Sequence, residues 1–358
     1  MQNAPTNERH FATLSEILSQ PATWQAALAE LEQSAQIGAL LEQTKARTEW
    51  LFLGCGTSLY LAEAAASSWT LLTGQRARAL PASELLLFSD LAYANISGLQ
   101  SVIISRSGST SEAVRAARLL SGQLRIPTLG ITCTADSDLE GVCDQTLHIS
   151  SANEKSMVMT RSFTTMLLTL QYLAAKRAQR LDFLEAQQRV AAHFEARIQS
   201  ICKRIETFVG EHSFADFVFL GQGPFHGIAR EGALKVMEMS CSYSQFFHTL
   251  EFRHGPKAIV SPETCLTFFL SEGAAKAECE VLTEMKELGG VTIAVCNRAT
   301  DAIRQSSDLV FELGFDGSEL AALVTSVVPS QLLGFFTGVK KNLNPDEPRN
   351  LSRVVILS

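Results

Sequence analysis

The sequence predicts an α/β protein made of two copies of one domain, each an open parallel sheet with helices on both faces. Three observations carry this. Short apolar runs ending in glycine or serine turns alternate with helical stretches from Trp50 to Ile149, the pattern of strands joined by crossover helices. The order of runs and turns then restarts: residues 217–223 mirror 51–56, residues 265–273 mirror 102–108, and 291–296 mirror 128–133. Repetition of a whole order of elements outweighs any single segment. Finally, 358 residues with 46% hydrophobic and 19% charged side chains are enough for two or three domains, each with its own core.

Taken in order, residues 11–47 show helical spacing, with Leu14, Ile17, Leu18, Trp24, Leu28, Leu31, Leu40 and Leu41 on an apolar face broken at Pro21. Residues 50–53 are a strand ending in Gly54-Cys55-Gly56, followed by a helix over 59–72. Residues 101–104 repeat the design, ending in a serine-rich turn and opening a helix over 110–120. Residues 128–132 and 145–149 are two further short strands, and a polar helical stretch, 174–208, joins the copies. The expected division is an N-terminal helical segment (1–47), a first domain (48–190), a second domain (205–340) and a C-terminal tail (341–358).

Composition excludes several classes. With 30 basic against 37 acidic residues the net charge is −7, opposite to the basic footprint of a nucleic-acid binder. The eight cysteines are never closer than ten residues apart, so no CxxC redox pair or zinc knuckle is present, and free thiols in a reducing cytosol are expected. Residues 1–9 are polar and lack a secretory apolar core. The longest uncharged stretch, 320–339, contains Pro329, Ser330 and Gln331 and reads as a buried helix rather than a membrane span. A soluble, cytoplasmic protein is the expectation.

Two segments carry candidate chemistry. Ser105-Arg106-Ser107-Gly108-Ser109-Thr110-Ser111-Glu112 lies between a strand and a helix. A helix N-terminus offers unpaired N–H groups and partial positive charge to a phosphate dianion. No lysine follows in Walker fashion, so a nucleoside triphosphate with Mg²⁺ is not expected. The competing reading is a capping box of Ser109 with Glu112. Gly54-Cys55-Gly56 suggests a dinucleotide loop, but Leu59 replaces the third glycine and no acidic residue ends the next strand. Thr57 and Ser58 more simply line the same crevice as the serine loop. In the second copy, Glu231, Lys235 and Glu238 fall at i, i+4 and i+7 on one helical face. A solvated stripe and a catalytic cluster both fit that spacing. His254 precedes a Gly-Pro turn, as a plain loop residue or as an acid/base near neutral pH.

Together, Gly54-Cys55-Gly56-Thr57-Ser58, Ser105-x-Ser107-Gly108-x-Thr110, Glu231-Gly232-Ala233-Leu234-Lys235-x-x-Glu238 and His254-Gly255-Pro256 resemble the sugar isomerase (SIS) family. Within it they are most like the isomerase half of glucosamine-6-phosphate synthase. Glu16-Ile17 with Gln20-Pro21, and Pro348-Arg349-Asn350-Leu351, extend the resemblance from about Phe11 to the end. It implies two tandem SIS domains, each a flavodoxin-like or Rossmann-like sheet, and a sugar 6-phosphate site between them. Ser105, Arg106, Ser107 and Thr110, with Thr57 and Ser58, would grip the phosphate and nearby hydroxyls. Glu238 would move a proton between C1 and C2, with Glu231 and Lys235 orienting it and handling sugar hydroxyls. His254 would open the ring from the partner subunit, which implies a homodimer. No metal or cofactor is called for.

Departures from the synthase set the expected reaction. Met1 is followed by Gln2 where the synthase has its glutaminase cysteine, and the chain begins almost at the isomerase half, so no ammonia source is expected. Arg353 stands where the synthase tail has a Schiff-base lysine, and a guanidinium cannot form that adduct. The expectation is therefore a glucosamine-6-phosphate deaminase. The alternatives are a plain aldose/ketose isomerase, a deaminase of another amino sugar phosphate such as the galactosamine ester, and a non-catalytic sugar-phosphate sensor.

Overall fold

The computed structural model describes residues 10–92 and 97–357. The polar N-terminal stretch 1–9 read above lies outside them. Three helices, Ala12–Leu18, Gln20–Gln33 and Ala35–Gln43, precede the first strand. The break expected at Pro21 falls at Ser19, because proline is tolerated in the first turn of the following helix, where its missing N–H has no intrahelical partner anyway.

The first sheet contains β1 (Glu49–Gly54), β2 (Arg76–Pro81), β3 (Leu99–Ile104), β4 (Thr128–Thr132) and β5 (Gln145–His148) in the order β2-β1-β3-β4-β5. The second contains β6 (Asp216–Gly221), β7 (Tyr243–Phe247), β8 (Thr264–Leu270), β9 (Val291–Cys296) and β10 (Leu309–Glu312) in the order β10-β9-β8-β6-β7. Every pairing is parallel. Read from its own first strand, each sheet has the doubly wound order 2-1-3-4-5, whose ligand crevice lies beyond the strand ends at the switch between strands one and three. The register repeats too: Glu49 faces Arg76 in the first sheet and Asp216 faces Tyr243 in the second, at the same separation along the chain. Gly56 and Gly223 occupy matching turns with φ of +54° and +53°, a region that glycine enters without steric cost.

Alternation along the strands divides the apolar residues between three cores. Trp50, Phe52, Phe217 and Phe219 face a central core shared by both sheets and by the helices between them. Leu51 and Leu53 face an outer core on the first sheet, and Val218 and Leu220 face its counterpart on the second.

The joining segment differs from the polar stretch expected over 174–208. Residues 174–177 end the helix Arg161–Arg177, which is buried along most of its length. After a break at Gln179, a helix of 31 residues, Leu181–Glu211, runs without interruption into the second half. Its Phe183, Val190, Phe194, Ile198 and Ile205 form a stripe in the central core. Its polar residues made it read as a linker, but the 3.6-residue stripe makes it a structural spine. The stretch 320–339 falls largely in the helix Val328–Lys340, nearly all of it buried. No helix among the described residues is long and apolar enough to cross a membrane.

Candidate active site

Two helices from different halves build the site. Helix Thr57–Thr73 leaves β1, and helix Pro224–Ser240 leaves β6. They cross at Gly227, where a Cβ would come within 2.6 Å of the Tyr60 carbonyl oxygen. That close approach brings Thr57, at the first turn of one helix, against Glu231 and Lys235 on the other.

Lys235 is wholly buried and sits between two carboxylates: its Nζ lies 3.2 Å from Glu231 Oε1 and 2.5 Å from Glu238 Oε2. It also donates to Thr57 Oγ1 at 3.2 Å, and that hydroxyl donates to Glu231 Oε1 at 3.4 Å. Glu231 is fully buried, whereas the Glu238 side chain keeps 17% exposure. Of the two readings of the i, i+4, i+7 stripe, the solvated one is therefore excluded. Burial pushes the Glu231 carboxyl up to about 8, against the pull of the Lys235 ammonium. The charges of Glu231 and Glu238 outweigh burial at Lys235 and hold it above the ordinary lysine value. Burial thus favours the neutral form of Glu231, and Lys235 stays a cation hydrogen-bonded to Glu238, the one member that reaches solvent.

The serine loop sits at the switch point of the first sheet. Ser105 Oγ accepts from the Gly108 N–H at 3.1 Å and donates to Thr110 Oγ1 at 3.4 Å, and Ser107 Oγ accepts from the Ser109 N–H at 3.2 Å. Gly108 has φ +65°. Thr110 is the N-cap of helix Ser111–Arg118 and makes no side-chain capping bond, so the alternative Ser109–Glu112 capping box does not form.

Arg106 belongs to this loop, but its guanidinium is committed elsewhere. It pairs with Glu154 Oε2 at 3.3 Å and donates to the Met157 carbonyl at 2.9 Å, with only 6% of the side chain exposed. Its own carbonyl accepts from the Cys133 N–H and from the Thr132 and Thr134 hydroxyls. Arg106 thus fixes the loop's position, and its charge is spent on Glu154 rather than presented beside Ser105 and Ser107. Glu154 went unremarked in the sequence. Wholly buried, it also accepts from the Thr160 N–H and hydroxyl and from the Ser162 hydroxyl. The only sequence signal was the hydroxyls at i+6 and i+8, which no periodic pattern picks out.

His254 lies apart from this cluster. It follows the short turn Glu251–Arg253, is exposed, and makes no side-chain hydrogen bond among the described residues. Two ion pairs anchor its loop: Arg253 Nε and Lys257 Nζ reach the two oxygens of Glu284 at 2.7 and 2.6 Å. Ser58 is buried beside Thr57. The tail reaches the site as well. Arg353 donates to the carbonyls of Glu154 and Lys155, and the Val355 carbonyl accepts from the Ser111 N–H at 3.2 Å.

The second sheet's matching loop is closed by the chain itself. Glu278 accepts from the Ser271 N–H and hydroxyl at 2.7 and 3.1 Å, and Glu319 accepts from the Glu272 N–H at 2.8 Å. Carboxylates occupy donors there that an incoming anion would need.

The SIS domain family model matches residues 44–176 and 215–335. The chain belongs to the SIS-domain family. It is 29% identical to the glutamine–fructose-6-phosphate aminotransferase (isomerizing) of Pyrobaculum aerophilum across 97% of its own length, and spans 57% of that relative. Among solved structures it is similar to a glucosamine-6-phosphate deaminase from Thermotoga maritima, with 29% identity, TM-score 0.80, and coverage of 97% of this chain and 100% of the other. It also has the fold of the tagatose-6-phosphate ketose/aldose isomerase of Escherichia coli, with TM-score 0.83 at 22% identity and coverage of 100% and 99%. Similar proteins thus include sugar-phosphate isomerases, a deaminase and aminotransferases.

Proposed function

We propose that this SIS-domain protein is a glucosamine-6-phosphate deaminase, converting glucosamine 6-phosphate and water to fructose 6-phosphate and ammonia. The observation that carries this is the buried Glu231–Lys235–Glu238 cluster, linked through Thr57 to the half that bears the serine loop. A 1,2 proton shift needs one carboxylate on one face of the enolamine, and a separate group for the ring oxygen. The likeness to the Thermotoga maritima deaminase, which covers nearly all of both chains, supports the choice of reaction.

In this reading the phosphate sits on the serine loop, with Ser105, Ser107 and Thr110 donating hydroxyls and Thr57 and Ser58 closing the crevice. Arg106 holds the loop in shape through Glu154. After ring opening, the Glu238 carboxylate removes the C2 proton and returns it to C1, giving the ketose imine, and water hydrolyses the imine to release ammonia. Lys235 aims Glu238, and burial, by favouring the neutral form of Glu231, leaves the lysine charge mainly for Glu238. The exposed His254, on a loop anchored through Arg253 and Lys257, opens the ring in the site of a second copy. That makes the protein a symmetric homodimer. Arg353 braces the tail over the site and forms no covalent adduct with the ketose.

The test is ammonia release from glucosamine 6-phosphate, with the galactosamine and N-acetylglucosamine esters alongside. Release from the first is expected. Silence on all three, with sugar phosphate still raising the melting temperature, would replace the deaminase with an isomerase of an unaminated sugar or a sensor. Mixing Glu238→Gln with His254→Ala subunits tests the shared site, and recovered activity is expected.

A further inference from the structure

The chain's internal repeat extends past the strands into the segment that carries His254. Arg76 and Tyr243 hold the same register positions in the two sheets. Nine residues on from each stand Leu85 and Phe252, both completely buried and each in the outer core of its own sheet. Two residues further stand Leu87 and His254. Leu87 thus holds in the first half the place His254 holds in the second. Leu87 is 75% exposed and its neighbour Phe88 57%, two large apolar side chains side by side in water.

Beyond the loop of β8, where the second half mirrors the serine loop, lies an open groove of about 1010 Å³. Ala274, Ala275, Cys279 and Thr283 line it, with Glu280 and Glu287 among its charged residues. Glu284 also lines it and is the carboxylate that pins Arg253 and Lys257. The groove is therefore continuous with the loop that presents His254, and one partner would cover both. Charge matches as well: helix Ser111–Arg118, which packs beside helix Ala82–Leu87, carries exposed Arg115 and Arg118 against the groove's exposed Glu280 and Glu287.

We infer that the occupant of this groove is a second copy of the chain, whose Leu87 and Phe88 insert beside Ala274 and Cys279 while its Arg115 and Arg118 meet the acidic residues. The inference rests on the reading that His254 serves a partner's site. The internal repeat of strand order and register then matches the first half's segment to the partner's second half. Where the substrate crevice kept its chemistry the inserted residue is a histidine. Where the loop is closed by Glu278 and Glu319, it is an apolar anchor.

Two experiments on the full chain test this. The double variant Leu87→Asp, Phe88→Asp should raise the dimer dissociation constant by at least about tenfold in analytical ultracentrifugation, as expected when charge replaces a central apolar anchor. Leu87→Cys treated with a short bis-maleimide should give a covalent dimer whose linked peptides contain residues 87 and 279, and Cys279→Ser should abolish it. An unchanged dissociation constant in a folded double variant, or a dimer that yields no 87–279 peptide, overturns the inference. The mixing experiment separates this outcome from the shared-histidine reading. Recovered activity without the cross-link leaves the histidine assignment standing and removes the anchor, and the cross-link without recovery does the reverse. A wild-type chain that is monomeric at micromolar concentration overturns both.

Discussion

Glu231→Gln is the sharpest test of the buried cluster, because it removes a titration while keeping the shape. In the fold the Glu231 carboxyl is pushed from 4.5 up to about 8 by burial. Between those values the folded chain holds a proton that the unfolded chain has released, so stability falls as pH rises through this window. It is fully present below the unfolded value and lost as pH climbs through the folded one. The slope is about 1.4 kcal/mol per pH unit for one proton. Glutamine has no such slope. From about pH 5.5 to about pH 7.5 the variant should therefore gain roughly 2.7 kcal/mol on the wild type. For a chain of 358 residues, an unfolding entropy near 2.1 cal/mol/K per residue turns that into about 4 °C. Lys235, held above its ordinary value, titrates outside the window, and His226, lowered to about 4 by burial and by His248, is common to both proteins and cancels. The assay is the difference in melting temperature between variant and wild type at matched pH values. A difference that stays flat across the window would mean Glu231 ionises normally and the cluster's charge assignment is wrong.

Other outcomes follow from the same contacts. Glu238→Gln should keep the fold and lose about 100- to 10,000-fold in ammonia release, the usual weight of a positioned general base; retained activity would move the base elsewhere. Arg106→Met strands the buried Glu154 carboxylate and should cost about 3 kcal/mol, or about 4 °C, while raising KM for the sugar phosphate more than it lowers kcat. The reverse split would make the guanidinium a direct participant in the chemistry. Inorganic phosphate should raise the wild-type melting temperature. It should not do so for Gly108→Val, whose backbone would have to keep φ +65° while its Cβ meets the Ser137 hydroxyl, and protection of that variant would place the phosphate off the loop.

Much of this was legible in the sequence because local chemistry and global fold agree. The strands at Leu51–Leu53 and Phe217–Leu220 are apolar on both faces, since each lies inside a sheet covered on two sides, and such runs stand out without periodicity. The i, i+4, i+7 spacing of Glu231, Lys235 and Glu238 named the cluster but left its burial open, because burial comes from the crossing at Gly227 and not from the helix itself. β7 escaped notice: Tyr243-Ser244-Gln245 reads as polar because it is an edge strand, and it starts just after the left-handed residue Cys241 ends its helix. Arg106 was legible as a loop residue but not as half of an ion pair, because Glu154 lies 48 positions away and only the fold brings it near.

The helix Leu181–Glu211 has a consequence for how the two loops came to differ. Two separate copies of a one-sheet chain share a single sequence, so any change at a loop would appear in both crevices at once. Covalent joining through one continuous spine lets residue 105 and residue 271 hold their surroundings independently. One crevice keeps its hydroxyls, and the other fills its donors with Glu278 and Glu319. Fusion is what permits a chain whose two sheets share one strand order to be chemically one-sided.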